Sequence, residues 1–232
     1  MPVTPESMLN LALSGNDSIV GSLFDDQLGG RGGSDTVMAG AGNDTIFGGD
    51  AGVIANILRG EAGDDLIQGG DGFDDTHGNM GNDTIYGGLG DDWVVGGQGN
   101  DQLHGGAGFD LVHGSMGEDT MFGGDGTDWM RGGQGNDLVD GGAGDDLVYG
   151  DRGSDTLTGG AGADQFRVFT ESGVDRVTDF NGLEGDRVAW EGPAQTATYT
   201  VIGNDTHVTF ASGDGVILSG VTSFDNTWII YI

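Results

Sequence analysis

The residues of this chain best suited to chemistry are aspartates that return every nine positions, each set two residues after a glycine. From Gly60 to Arg167 the unit Gly-x-x-Gly-x-Asp-x-U-x, with U apolar, occurs twelve times in unbroken register. Both glycines are present in all twelve units, as are the aspartates Asp65, Asp74, Asp83, Asp92, Asp101, Asp110, Asp119, Asp128, Asp137, Asp146, Asp155 and Asp164. Position U is apolar in eleven of them, Thr76 being the exception. Four looser units come first, centred on Asp17, Asp26, Asp35 and Asp44, with Phe24 replacing the second glycine in one. A carboxylate supplies the hard oxygen that calcium prefers. Adjacent acids such as Asp64-Asp65, Asp91-Asp92 and Asp145-Asp146 fit cation binding better than acid/base catalysis.

Such a file of ligands needs elements that repeat with it. The glycine-rich half of the unit permits positive φ and a tight exposed turn. The Asp-x-U-x half reads as a strand of three or four residues with its middle side chain turned inward. Two units then make one flattened coil with a turn at each edge, and coils stack as parallel strands about 4.8 Å apart. Turns on the same edge lie close enough for a cation between successive coils. A fixed period of this kind implies a solenoid. The expected fold is all-β, a parallel β-roll with two nonapeptides per coil.

The unit resembles the RTX (repeats-in-toxin) nonapeptide, GGxGxDxUx, over residues 12 to 167. The resemblance implies a right-handed β-solenoid with calcium between turns, held by the sixteen aspartates above and by turn carbonyls. Counting the gaps between same-edge turns gives about 10–12 ions. Residues 1–11 read as a lead-in, with Met8, Leu9, Leu11 and Leu13 capping the first coil. Residues 48–59 break the period: Gly48 to Asp50 read as an inserted bulge and Ala51 to Arg59 as a degenerate unit. There Asn56 replaces the aspartate and Leu58 takes the U position, so a weakened or absent calcium site is expected.

The nonapeptide ends near Val168, and residues 168–232 read as a β-rich cap. The expected strands cover Asp175–Phe180, Asp186–Trp190, Tyr199–Ile202, His207–Phe210 and Val216–Val221. Asp164-x-Phe166, Asp179-Phe180, Gly185-Asp186 and Ile217-Leu218-Ser219-Gly220-Val221 resemble the C-terminal region of serralysin-type secreted proteases and other RTX exports. That resemblance implies an uncleaved type I secretion signal in the tail Thr227–Ile232. The same tail also reads as a final edge strand.

The chain carries 38 acidic residues against 7 basic ones, all arginine, for a net charge of −31. That balance excludes nucleic acid and anionic membrane surfaces as partners. It also implies a compact state that repels itself without counter-ions; about 12 calcium ions would leave a net charge near −7. The 232 residues include no cysteine, so something other than disulfides must staple the fold outside a cell. No 18-residue apolar run exists, and Met1–Asn10 lacks the basic and apolar regions of a Sec signal.

A longer period of 36 residues aligns 69–104 with 105–140. Matched residues fall two coils apart on one face, about 9.6 Å. The residue before U on that face reads Asp75, Trp93, Leu111, Trp129, Leu147, Gln165, an apolar row beside His113, Arg131 and Tyr149. Trp93, Leu111, Trp129 and Leu147 therefore read as a contact surface for another domain, a second copy or a surface glycan, or else as a tolerated patch without function. The opposite face, Leu66, Thr84, Gln102, Thr120, Leu138, Thr156, reads as ordinary solvent-facing sheet. No catalytic constellation is found. His77, His104, His113 and His207 form no HExxH, GxSxG is absent, and the first three histidines read as solvated. Threonine takes the third place of the turn in no regular unit and Thr-x-Thr strands are nearly absent, which argues against ice binding. The expected function is an extracellular, non-enzymatic calcium module that folds after type I secretion and serves a structural or interaction role. The alternative is a carbohydrate-binding module like those that accompany alginate epimerases.

Overall fold

The computed structural model describes residues 15–49, 55–193 and 196–232; the lead-in at 1–11 lies outside them. Strands numbered in chain order run from β1 (Ser18–Val20) to β23 (Ile229–Tyr231). Odd-numbered strands through β19 (Arg187–Glu191), followed by β23, form one sheet. Even-numbered strands through β18 (Val174–Val177) form the other, completed by β22 (Gly215–Leu218), β21 (Asp205–Thr209) and β20 (Thr198–Ile202). The chain alternates between the two sheets, and every neighbouring pair up to β18 and β19 is parallel. The result is a β-solenoid of about nine turns.

Register follows directly from the period. Leu111 stands opposite Trp129 and Leu103 opposite Met121, each 18 residues on. The strands are longer than the three or four residues expected. In β8 (Thr84–Leu89) and β10 (Gln102–Ala107) pairing continues through Gly88 and Gly106. The glycine half bends at positive φ without leaving the ladder.

Each strand of the roll turns one U side chain inward. Ile67, Ile85, Val94, Leu103, Val112, Met121, Met130, Val139, Val148 and Leu157 are all buried in one column of the core. Thr76 is buried among them and donates its hydroxyl to the Trp93 carbonyl at 3.3 Å. One apolar side chain for every nine residues is a thin core, and the edges carry much of what remains.

The break in period is placed differently from the sequence reading. Gly48 and Gly49 end β4 (Thr45–Gly49), and Gly49 pairs with Gly70, so neither belongs to a bulge. Register there lengthens to 21 residues, Thr45 opposite Leu66, so the extra residues fall between Gly49 and Asn56.

At the C-terminal end β17 (Gln165–Phe169), β19 and β23 continue one sheet in parallel. The other turns antiparallel through β22, β21 and β20. Trp190 stacks on Phe210 at 4.4 Å, and Phe180 meets Phe166, Phe224 and Trp228, closing the end of the core. The tail Thr227–Ile232 supplies β23, an edge strand.

Candidate metal centre

The aspartates line the two edges of the roll as two vertical ladders. On one edge the backbone N–H of each rung donates to Oδ1 of the next: Asp65 to Asp83, Asp83 to Asp101, Asp101 to Asp119, all at 2.8 Å. Upstream, Asp26 and Asp44 join in the same way, and Asp137 and Asp155 follow. The other edge carries Asp17, Asp35, Asn56, Asp74, Asp92, Asp110, Asp128, Asp146 and Asp164. All sixteen sequence-expected aspartates are thus brought into register.

Oδ1 is used by the fold, and Oδ2 is left over. In fifteen of the sixteen, every one but Asp26, Oδ2 is buried without a hydrogen-bond partner. In the second looser unit, where Phe24 replaces the glycine, Asp26 Oδ2 accepts from Ser22 N at 2.6 Å. An ionised oxygen buried without a partner is costly, and burial accordingly drives the carboxyls from Asp35 onward up. Asp92 is pushed up to about 8, first by burial and then by Asp110, Asp74 and Asp91. Asp83, Asp101, Asp137 and Asp164 reach about 7 for the same leading reason.

From Asp65 to Asp164 each orphan oxygen faces a cradle that the first glycine keeps open. A Cβ on Gly105 would stand 2.5 Å from Asp110 Oδ2 and 2.7 Å from the Gly123 carbonyl oxygen of the next coil. On Gly141 it would meet Asp146 Oδ2 at 2.5 Å and the Gly159 carbonyl at 2.7 Å. A carboxylate oxygen and a carbonyl therefore converge where only hydrogen fits. The second glycine has another cause: Gly108, at φ +136°, presses on the Gly90 carbonyl of the coil below. Among the described residues no group of three or more His, Cys, Asp or Glu side chains gathers about one point. A cation here would be held by single carboxylates completed with backbone carbonyls, an all-oxygen set of the kind calcium takes. The residues fit that ion.

Asn56 shows the contrast. Its Oδ1 accepts from Asp35 N at 3.0 Å as a carboxylate would. Its Nδ2 takes the Oδ2 place, 2.7 Å from a Cβ built on Gly48, and donates to Asp74 Oδ1 at 2.8 Å. The amide fills its own cradle with a donor.

Two rungs escaped the sequence reading. Asp155 N donates to Asp175 Oδ1 at 3.1 Å, and Asp164 N to Asp186 Oδ1 at 3.0 Å. Asp175 Oδ2 is also orphaned, and burial followed by the Asp155 charge pushes its carboxyl up to about 9. The signal was present in Gly173-Val-Asp175-Arg-Val177, which repeats the second half of the unit outside its phase. Adjacent acids also separate in role. The outer member joins an exposed ladder of its own, Asp64 Oδ1 accepting from Asn82 N at 2.7 Å and Asn82 Oδ1 from Asn100 N at 2.8 Å.

The faces differ from expectation in two respects. Trp93 and Trp129 are exposed at 45% and 48%, with Leu111 and Leu147 half-buried in the same row. The opposite sheet is not ordinary solvent-facing surface: Tyr86, His104 and Phe122 stack at 4.6 and 4.9 Å, one ring per coil. These occupy the position after U, which the row before U does not reveal. The histidines are half-buried rather than solvated, and burial lowers His77, His104 and His113. His77 Nε2 lies 2.9 Å from Asp75 Oδ1, while Arg59 holds the other oxygen at 2.8 Å.

A parallel β-solenoid edged by carboxylate-and-carbonyl cradles defines a calcium-binding roll. Overlapping segments from residue 12 to residue 166 match the RTX calcium-binding nonapeptide repeat, and the chain belongs to that family. No curated protein matches it. Among solved structures it is similar to the extracellular lipase of Serratia marcescens, at 18% identity and a TM-score of 0.39. That similarity covers 93% of this chain and 38% of the lipase, so the chain spans well under half of that protein. It is also similar to a subunit of the Azotobacter vinelandii mannuronan C5-epimerase, at 26% identity and a TM-score of 0.26, over 56% of this chain and 79% of that one.

Proposed function

We propose that this chain is a secreted calcium module whose roll folds when calcium fills the edge cradles, and which then serves a structural or interaction role outside the cell. The observation that carries this reading is the file of fifteen buried Oδ2 atoms without a partner. Fifteen of the sixteen aspartates, joined by Asp175, would each turn one orphaned oxygen to a cation, and about a dozen ions would be held. Calcium bound this way supplies positive charge between coils. The chain's own residues do the rest: glycines keep the cradles open, Oδ1 atoms fix the spacing, and the U column fills the core.

The mechanism is linkage. Calcium binds the stacked coils and not the extended chain, so folding follows its concentration by mass action. Where calcium is scarce, the net charge of −31 keeps the chain extended and fit for type I export. In millimolar calcium, the range of weak extracellular sites, the roll forms and cannot slide back. No catalytic role is assigned. Far-UV circular dichroism of chelator-stripped protein during a calcium titration, with magnesium as control, tests this reading. A steep gain of β signal with calcium alone supports it, and a full β spectrum in chelator refutes it. A second reading, a carbohydrate-binding module within a larger secreted polysaccharide-modifying enzyme, is favoured by the groove between Trp93 and Trp129.

A further inference from the structure

The outer face of the odd-numbered sheet holds a groove of about 240 Å³. Trp93 and Trp129 bound it, Leu111 lies between them, and His113, Arg131 and Tyr149 line it further along the same face. The scaffold sets the spacing. On the other sheet three rings stand one per coil and stack on each other at 4.6 and 4.9 Å, which leaves their faces covered. Trp93 and Trp129 are two coils apart, about 9.6 Å, with the short Leu111 in the intervening coil. They do not stack on one another; Phe109 of the intervening coil meets Trp129 edge-on at 5.9 Å, and the groove opens over Leu111.

The polar residues are held in place before any ligand arrives. Arg131 donates through Nε and Nη2 to Asp151 at 3.0 and 2.8 Å, and its guanidinium lies 5.2 Å from the centre of the Tyr149 ring. Tyr149 donates its hydroxyl to Glu191 at 2.7 Å. Apolar rings and an apolar floor thus meet hydrogen-bonding groups along one face. That amphipathy matches a sugar ring, whose C–H face stacks on aromatics while its hydroxyls seek planar donors and acceptors.

Charge narrows the ligand further. This face gathers Arg59, Arg131, Arg167 and Arg187, four of the seven arginines, and the first three are paired with Asp75, Asp151 and Glu191, which leaves it little net charge. A cationic partner would find more carboxylate at the turns. An anionic polymer must approach a molecule of net charge −31. A second copy carries that same charge, and four coils of one sheet face cover far less than the roughly 800 Å² per partner of a stable dimer.

We propose that this groove binds a neutral polysaccharide, one pyranose ring lying between Trp93 and Trp129 above Leu111. The proposal rests on the calcium-dependent fold above, since the groove exists only in the stacked roll. Affinity electrophoresis of the calcium-loaded full chain through gels containing hydroxyethyl cellulose, laminarin, galactomannan or alginate tests it. Circular dichroism of the same samples reports the fold separately, so loss of the roll and loss of the groove are told apart. Retardation by at least one neutral glycan is expected, stronger than by alginate. It should fall at least tenfold in Trp93→Ala and Trp129→Ala, and also in Leu111→Trp, which fills the groove while keeping an apolar surface. Three results each overturn the proposal: no retardation by any neutral glycan, retardation equal in all variants, or preference for alginate. So would a concentration-dependent dimer in sedimentation that the same substitutions abolish, which would assign the face to self-association.

Discussion

Asn56→Asp should convert the one amide rung of the edge ladders into a working cation site, at a cost that only calcium offsets. In the parent the Asn56 amide donates to Asp74 Oδ1 at 2.8 Å and occupies the place of Oδ2 beside Gly48. An aspartate there removes that hydrogen bond to a charged group and sets two carboxylates against each other, about 2 kcal/mol of lost stability. It also opens one cradle, so one more ion is taken up on folding. Each such ion steepens the dependence of unfolding free energy on free calcium by about 1.4 kcal/mol per tenfold. The gain reaches 2 kcal/mol near 30 times the site Kd. For weak extracellular sites that is on the order of 3–30 mM calcium. The variant should therefore be less stable than the parent at low calcium and more stable above that crossover. Urea unfolding at a series of buffered calcium concentrations measures the slope, and metal analysis of the dialysed protein counts the ions. An unchanged slope and count would refute the assignment of the amide as the break in the ladder.

Three further outcomes follow from the same geometry. In chelator, stability of the roll should fall as pH rises from about 4 to about 8. Asp92 is held near 8 by burial, against about 3.9 when unfolded, so the folded state keeps protons that the open chain has released. Acidifying the stripped protein should therefore raise its β signal, and saturating calcium should remove the effect. Gly105→Ala puts a Cβ 2.5 Å from Asp110 Oδ2, which should cost about 1–3 kcal/mol and one bound ion, seen as a shallower calcium slope. Ser115→Gly relieves a serine held at φ +88°, in a place where most units carry glycine, and should stabilise the roll by about 1 kcal/mol in thermal melts.

The period made most of the architecture legible. A residue at one place in the unit meets its counterpart 18 residues on, as Leu111 meets Trp129 and Asp83 meets Asp101. Translation along the solenoid turns sequence repetition into contact, so the U column and both ladders could be read without coordinates. The rungs Asp175 and Asp186 were missed because they join at spacings of 20 and 22 residues, outside the phase. The stack of Tyr86, His104 and Phe122 was missed because position after U varies freely, and only the pairing shows that three rings coincide.

By itself the sequence determined which aspartate would stand over which, because a strict nine-residue unit admits one stacking. It determined as well that the chain repels itself without cations, since charge is additive whatever the shape. Tertiary structure alone decided which oxygen of each aspartate is consumed by the fold. Oδ1 is taken by the N–H of the neighbouring coil and Oδ2 is left in a cradle with a carbonyl, as at Asp110 beside Gly123. That division depends on how closely two coils approach and how a side chain turns between them. Pattern does not encode those distances; packing sets them.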